Sequence, residues 1–317
     1  MLFLYPDNSC SSLLGVDVRP TVFFKSVSIL FLLALMLAAY FWGIRPAELS
    51  WGATSTELGR SMPEDQVVHD PVFDATRAIT IHATPEQIYP WLAQMGFGRA
   101  GFYGYDLIEN LGSVSGIRSA QAIIADFQNP KPGDELPLSI AATLVFGEIT
   151  PNRYIVWKDS DDPPDGVFIW ELVPIDAHNT RLISRIRWNY QKTPSGLLLG
   201  VFTEFTDHIA VRRILEGVRD RAEGRPAESL TREGFEIASW CIAALSFGIA
   251  LLYIAFWRKW AWAWAMALAT GLLLEFVLYG DMPLVVRFVL PCLGLAGIVV
   301  IWVTYGRFQN VVEYIPR

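Results

Sequence analysis

Four stretches of this chain are too long and too apolar to be ordinary surface or core segments. Ser26–Ile44 carries no charge and is mostly aliphatic, which is close to the ~20 residues that cross a bilayer. Ile237–Trp257 and Phe288–Gly306 are also uncharged, and Trp260–Tyr279 holds a single acid, Glu275. Tyr40 and Trp42 stand near the end of the first run, where aromatic residues settle at a membrane–water boundary. A cleaved signal is the competing reading of that run. The long polar leader, residues 1–25, and the lack of a small-x-small cleavage site favour a retained helix. The chain is therefore read with four transmembrane helices, at 26–44, 237–257, 260–279 and 286–306.

Between the first and second runs lies a block of ordinary water-soluble character, although the whole chain is 52% hydrophobic and only 18% charged. Residues 45–73 are polar and interrupted by Pro46, Pro63 and Pro71, and read as a linker. Ala75–Ala83 has the period-2 alternation of a half-buried strand. Thr84, Pro85 and Gln87 then spell a capping box with proline at the first helical position. Strand-like runs follow at Ala120–Phe127, Ala142–Ile149, Arg153–Asp159, Gly166–Pro174 and Thr180–Tyr190. Ser195–Ala222 closes the block as a long helix with Leu198, Phe202, Phe205 and Ile209 on one face. The order of elements predicts an α+β domain over 74–224, a charged hinge at 225–236 and a short tail at 307–317.

A net charge of −7 argues against a nucleic-acid partner, because phosphate backbones are bound by basic surfaces. Cys10, Cys241 and Cys292 have neither disulfide-framework nor metal spacing, and the four histidines offer no ligand pair, so neither a metal nor another cofactor is expected. His208, beside Asp207 and after Glu204, is the one acid–base candidate; a solvated helix histidine is the plainer reading. Arginines and lysines flank the four runs almost evenly. The side of the membrane that the domain occupies stays undetermined, with an excess of one basic residue for the cytoplasmic side.

The stretch PWLAQMGFGRAGFYGYDLIENLG, residues 90–112, combines glycines with large aromatics and is expected to wall a ligand cavity. Trp91, Phe102, Tyr103 and Tyr105 are its candidate ligand contacts, with plain packing as the alternative for the tyrosines. Arg99 is expected to pair with Asp106 or Glu109 and pin the turn. Trp157, Trp170 and Trp188 lie on three strands and either line the concave face or pack the sheet; Glu171, Arg185 and Arg187 are expected to face water as cross-strand pairs. Glu275, an acid within a membrane helix, is a functional candidate by position.

Taken together, QMGFGRAGFYGYDLIENLG at 94–112, SAQAI at 119–123, KPGDELPL at 131–138, FIWELVP at 168–174, NTRLISRIR at 179–187 and RRILEGVRDRAEG at 212–224 resemble the SRPBCC superfamily, also called START-like or helix-grip proteins. The branch they resemble is that of polyketide cyclase/dehydrase and lipid-transport proteins. The resemblance spans roughly residues 75–224 and implies a curved antiparallel sheet gripping a long C-terminal helix around a hydrophobic cavity. Phe202 and Phe205 on that helix would then join the cavity lining. The function implied is binding of a lipid or polyketide-like molecule, for transfer or sensing, by a multi-pass membrane protein rather than catalysis. A cyclase or dehydratase acting on an apolar substrate is one alternative. A scaffold whose helices meet a membrane-protein partner is the other.

Overall fold

The computed structural model describes residues 20–312 apart from 111–115, 117, 162 and 257–259. Most of the leader, Arg258-Lys259 and the end of the tail lie outside the described residues. The chain begins with α1 (Pro20–Ala39), passes through one π-helical turn, Tyr40–Ile44, and continues as α2 (Arg45–Leu49). Then come α3 (Ser55–Leu58), β1 (Phe73–Ile81), α4 (Pro85–Gln94) and α5 (Asp106–Glu109). Five strands follow: β2 (Glu135–Pro137), β3 (Thr143–Thr150), β4 (Tyr154–Lys158), β5 (Gly166–Pro174) and β6 (Thr180–Trp188). The long α6 (Pro194–Ala222) precedes α7 (Leu230–Phe256), α8 (Trp260–Tyr279) and α9 (Leu284–Val312).

Among the described residues, four helical stretches are long and apolar enough to cross a membrane: Val22–Leu49, Leu230–Phe256, Trp262–Tyr279 and Leu284–Ile301. α7 is central and packs against α8, α9 and α1. Small residues make the approach close, with Ala250, Ala263 and Ala267 buried around Leu32 and Ile254. α7 starts earlier than the charge pattern implied. Glu233 and Glu236, read as hinge, lie within it and are buried.

The strands form one six-stranded antiparallel sheet in the order β1-β6-β5-β4-β3-β2. It is a meander, except that β1 returns to pair with β6 from Phe73↔Trp188 to Ile81↔Thr180. β3 and β4 shift register between Phe146 and Ile149, a bulge that sharpens local twist. α4 forms as its capping box requires, with Gln87 Oε1 accepting from the Thr84 N–H at 2.9 Å. α4 and α6 cover one face of the sheet. The core there joins Ile88, Leu92, Trp157, Trp170, Val211, Ile214, Leu215 and Val218.

Three expectations are corrected here. Residues 120–127 are not a strand; they form a loop ending in one 3₁₀ turn, Ala125–Phe127. The buried Gln94 holds that loop in place of a ladder, accepting from the Ile124 N–H at 2.8 Å and donating to Ala122 O and Tyr103 Oη. Residues 45–73 are not a free linker. Met62 and Val68 pack on the other face of the sheet against Val156, Val167, Ile169 and Ile183, forming a second core. Glu171 and Arg185 are consequently buried rather than facing water. Arg185 donates to Asp65 Oδ2 at 2.6 Å and to the carbonyls of Arg60, Glu57 and Leu58.

The third correction concerns α6. Its stripe Leu198–Phe202 does not face the sheet, and both residues are exposed. Only the C-terminal half, from Val211 to Val218, enters the core. There Gly217 is required by contact: a Cβ at this position would meet Tyr103 O at 2.0 Å.

Candidate functional site

The nine residues expected to contact a ligand divide into three groups. Trp91, Phe102, Tyr103, Trp157 and Trp170 converge in the core between sheet and helices, with Trp188 packed at its margin. Phe102 meets Trp157 edge-on at 6.5 Å, and Trp157 meets Trp170 at 5.3 Å. The indole Nε1 atoms of Trp157 and Trp170 are buried without a hydrogen-bond partner. Tyr105 and Phe205 belong to the boundary between the sheet domain and the apolar helices. Phe202 stands exposed on α6.

The glycine-rich turn owes its shape to four positive-φ backbone positions, Gly96, Gly98, Gly101 and Tyr103. Gly101, at φ +75°, sits where a Cβ would meet Ser119 Oγ at 2.3 Å. Tyr103 takes φ +66° despite its side chain, a strained state that its surroundings hold in place. Its hydroxyl donates to Trp91 O and accepts from Gln94 Nε2, both at 3.0 Å, and its N–H donates to Ser119 Oγ at 3.1 Å. The Arg221 guanidinium lies 4.3 Å from its ring centre. Arg99 does not pair with an acid as expected. It donates to Met95 O and Ala93 O and lies over the rings of Phe127 and Phe146. Asp106 is occupied locally, accepting from Ser119 Oγ at 2.6 Å and Asn110 Nδ2 at 2.9 Å.

Three cavities bear on the site. The most polar one, about 130 Å³, is enclosed by α2, α6, Tyr105, the start of α7, the end of α8 and Arg287 of α9. Its charged lining is four arginines, Arg212, Arg213, Arg232 and Arg287, and four acids, Glu48, Glu216, Glu236 and Asp281. Formal charge therefore cancels, so the cavity is not a plain anion trap. The acids are largely engaged: Glu236 Oε2 accepts from Tyr105 Oη at 3.1 Å and lies 3.7 Å from Arg287 Nη1, and Asp281 lies 3.3 Å from Arg212. Burial pushes the Tyr105 phenol well above its usual range, and the adjacent Glu236 charge adds to the rise. Tyr105 thus stays a neutral donor.

Four lining residues bury a polar atom that makes no close hydrogen bond: His208 Nε2, 3.7 Å from Glu204 Oε1, Arg213 Nη2, 3.5 Å from Glu228 Oε2, Tyr279 Oη and Arg287 Nε. His208 is not the solvated histidine expected, since it is fully buried. Its Nδ1 lies 2.6 Å from Arg77 Nη2. A guanidinium only donates, so Nδ1 accepts and the ring hydrogen sits on Nε2. Arg77 is itself saturated, with Asp207 at 2.7 Å and Glu48 O at 2.8 Å. All four can donate; His208 and Arg213 already face acids, which leaves Tyr279 Oη and Arg287 Nε open to an acceptor-rich group.

A second, mostly apolar groove of about 350 Å³ runs between the first apolar helix and α8, lined by Gly43, Ile44, Ala47, Leu272, Glu275 and Phe276. It shares Glu48 and Tyr279 with the polar cavity. Glu275, singled out by its position, is therefore a groove residue; Arg287 turns instead to Gly280 O and Glu236. A third groove, about 320 Å³, lies between Trp188, Tyr190 and the first turn of α6. The half-buried Asp159 and the exposed Asp161 and Asp165 cluster around the β4–β5 connection and read as a solvated loop face. Sequence reasoning missed Glu48, Arg213, Tyr279 and Arg287. Its available signal was Glu236, an acid at the mouth of an apolar run.

No protein-family model matches the chain, and no curated protein matches it. Solved structures similar to part of it include a polyketide cyclase-like protein from Corynebacterium glutamicum, at 16% identity over 46% of this chain and 88% of that one, TM-score 0.25. The Aha1 dimer from Colwellia psychrerythraea is similar at 13% identity over 47% of this chain and 96% of that one, TM-score 0.25. A protein from Mesorhizobium loti is similar at 16% identity over 48% of this chain and 98% of that one, TM-score 0.28.

Proposed function

We propose that this protein is a membrane-anchored binder of an amphipathic lipid, held where the sheet domain meets the apolar helices. The observation that carries the reading is the adjacency of two unlike spaces that share Glu48 and Tyr279 in their walls. One is polar, holds free donors and is flanked by acids. The other is apolar and lies between helices. A phospholipid has the same division. Its phosphate oxygens would take the hydrogens of Tyr279 and Arg287, and an acyl chain would follow Gly43, Leu272 and Phe276.

The test is native mass spectrometry of the full chain released from membranes in mild detergent, with Gly43→Phe beside it. Gly43 lines the groove, and a Cβ there meets no atom within 4 Å, so a side chain can start from this position without a clash at its root. Phospholipid retained by the wild type and lost from Gly43→Phe, at unchanged thermal stability, is the expected result. Equal retention by both would remove the groove from the reading.

The buried, unpartnered indoles of Trp157 and Trp170 favour a second reading, in which an apolar ligand with an acceptor group occupies the interior of the grip. Trp157→Phe and Trp170→Phe keep the packing and delete the donors. Ligand loss in these variants, with retention in Gly43→Phe, places the ligand in the interior instead.

A further inference from the structure

The N-terminal half of α6 is out of character for a water-soluble domain. Leu197, Leu198, Leu199, Val201 and Phe202 are 54%, 72%, 60%, 46% and 64% exposed, and no charge occurs from Pro194 to Thr203. Contiguous apolar surface of this kind marks an interaction site rather than chance exposure. The exposure covers most of the helix circumference. Gly200 alone in this stretch is buried, against the ring of Tyr190.

What covers this surface is indicated by the next turn of the same helix. Phe205 packs on Tyr40 at 6.1 Å and on Tyr279 at 5.3 Å, residues of the first and third apolar helices. One residue earlier, Glu204 is gripped by Arg45 and reached by Tyr40 Oη at 3.3 Å. Leu198, Phe202 and Phe205 share one face at i, i+4 and i+7 spacing. That face therefore runs without a break from the ends of two apolar helices onto open surface. Phe41 and Trp42, beside Tyr40 on the first helix, are exposed as well.

We infer that the first turns of α6, Leu197–Phe202, insert into the interfacial layer of the bilayer, beside the first membrane helix on the domain side. The occupant is the lipid surface, because the apolar face is continuous with the spans and uncharged along its length. Helices of this kind lie with their apolar residues at the headgroup–acyl boundary. The insertion gives the domain a contact with the membrane that is neither a span nor the ligand groove, and it fixes how the sheet is tilted over the bilayer. It does not depend on the lipid-binding reading.

The experiment uses the full chain in nanodiscs, with Cys10, Cys241 and Cys292 replaced by serine. Nitroxide labels are placed at Leu198→Cys, Phe202→Cys and, as a control, Ile175→Cys, an exposed apolar residue after β5. Collision with oxygen and with a water-soluble nickel chelate is read at each. The expected ratio of oxygen to nickel collision is severalfold higher at 198 and 202 than at 175. Nickel access at 198 and 202 equal to that at 175 overturns the inference. Exclusion of both quenchers, with spin–spin coupling between labels, also overturns it and assigns the face to a second copy of the chain. All three labelled positions are exposed, so folding is not at stake.

Discussion

Arg45 Nη2 lies 3.0 Å from Glu204 Oε2, and Arg45 Nε meets the other oxygen of the same carboxylate. This fork joins the end of the first apolar helix to the middle of α6. Burial alone would push the Glu204 carboxyl up, but hydrogen bonds from His208 and Arg45 and the charge of Arg45 take it down to about 2. Removing one member of a largely buried pair costs about 3–5 kcal/mol, because the other charge is stranded. Glu204→Ala is expected to lower the thermal midpoint sharply, whereas Arg45→Met with Glu204→Leu should recover most of the loss. The folded-state pKa lies below the ordinary value of 4.5, so the stabilisation is complete above that pH and lost as pH falls towards 2. A Glu204→Ala midpoint with unchanged acid dependence would dismiss the assignment.

Glu109 shows the opposite sign. Both its carboxyl oxygens are buried, and burial, with the nearby charges of Asp106 and Glu233, raises it to about 7. The folded state therefore holds its proton longer than the unfolded one. Stability should fall by about 1.4 kcal/mol per pH unit as pH rises between the ordinary value and the raised one. Glu109→Gln is expected to flatten that slope and to be more stable than wild type at pH 8, as read by denaturant or thermal melts across pH.

Gly217→Ala tests the seat of the strained tyrosine. In an exposed helix the change would gain about 1 kcal/mol from propensity. Here the new Cβ would collide with Tyr103 O, so the variant is expected to be destabilised. Hydrogen exchange should rise around residues 101–106. A neutral or stabilising result would mean that α6 can shift away at little cost.

Gln94→Leu removes the group that replaces a strand ladder for residues 122–128. The Ile124 N–H and one partner of the Tyr103 hydroxyl are then left unsatisfied, at a cost of about 1–3 kcal/mol for a buried donor. Faster exchange confined to 120–128, with the β4–β5–β6 sheet still protected, is the expected outcome. Uniform loss of protection would show that Gln94 supports the whole core instead.

Local pattern made much of this architecture legible. The apolar runs, the α4 capping box and the alternation in β5 and β6 are short-range signals that need no knowledge of what packs against them. Residues 45–73 were opaque for a physical reason. Asp65 becomes a core acid only once Arg185 stands opposite it on a formed sheet. Before that, the segment is simply polar and proline-rich. The Leu198–Phe202 stripe has the same helical period whether it faces a sheet or a membrane, so periodicity revealed an apolar face without revealing its cover. The junction is assembled from Glu48, His208, Tyr279 and Arg287, which lie in four separate segments. No spacing rule connects them.

The return of β1 to β6 has a consequence for how the molecule is made. β1 is synthesised before every other strand, and its sheet neighbour β6 after all the rest. The sheet therefore cannot close until Trp188 has left the ribosome, by which time the first apolar helix is already available to the membrane. Pairing across so long a loop is slow, because the chain entropy is lost before contacts reward it. The half-made domain waits as a chain tethered at one end. The arrival of α6, bringing Glu204 to Arg45, clasps it to the end of the first apolar helix.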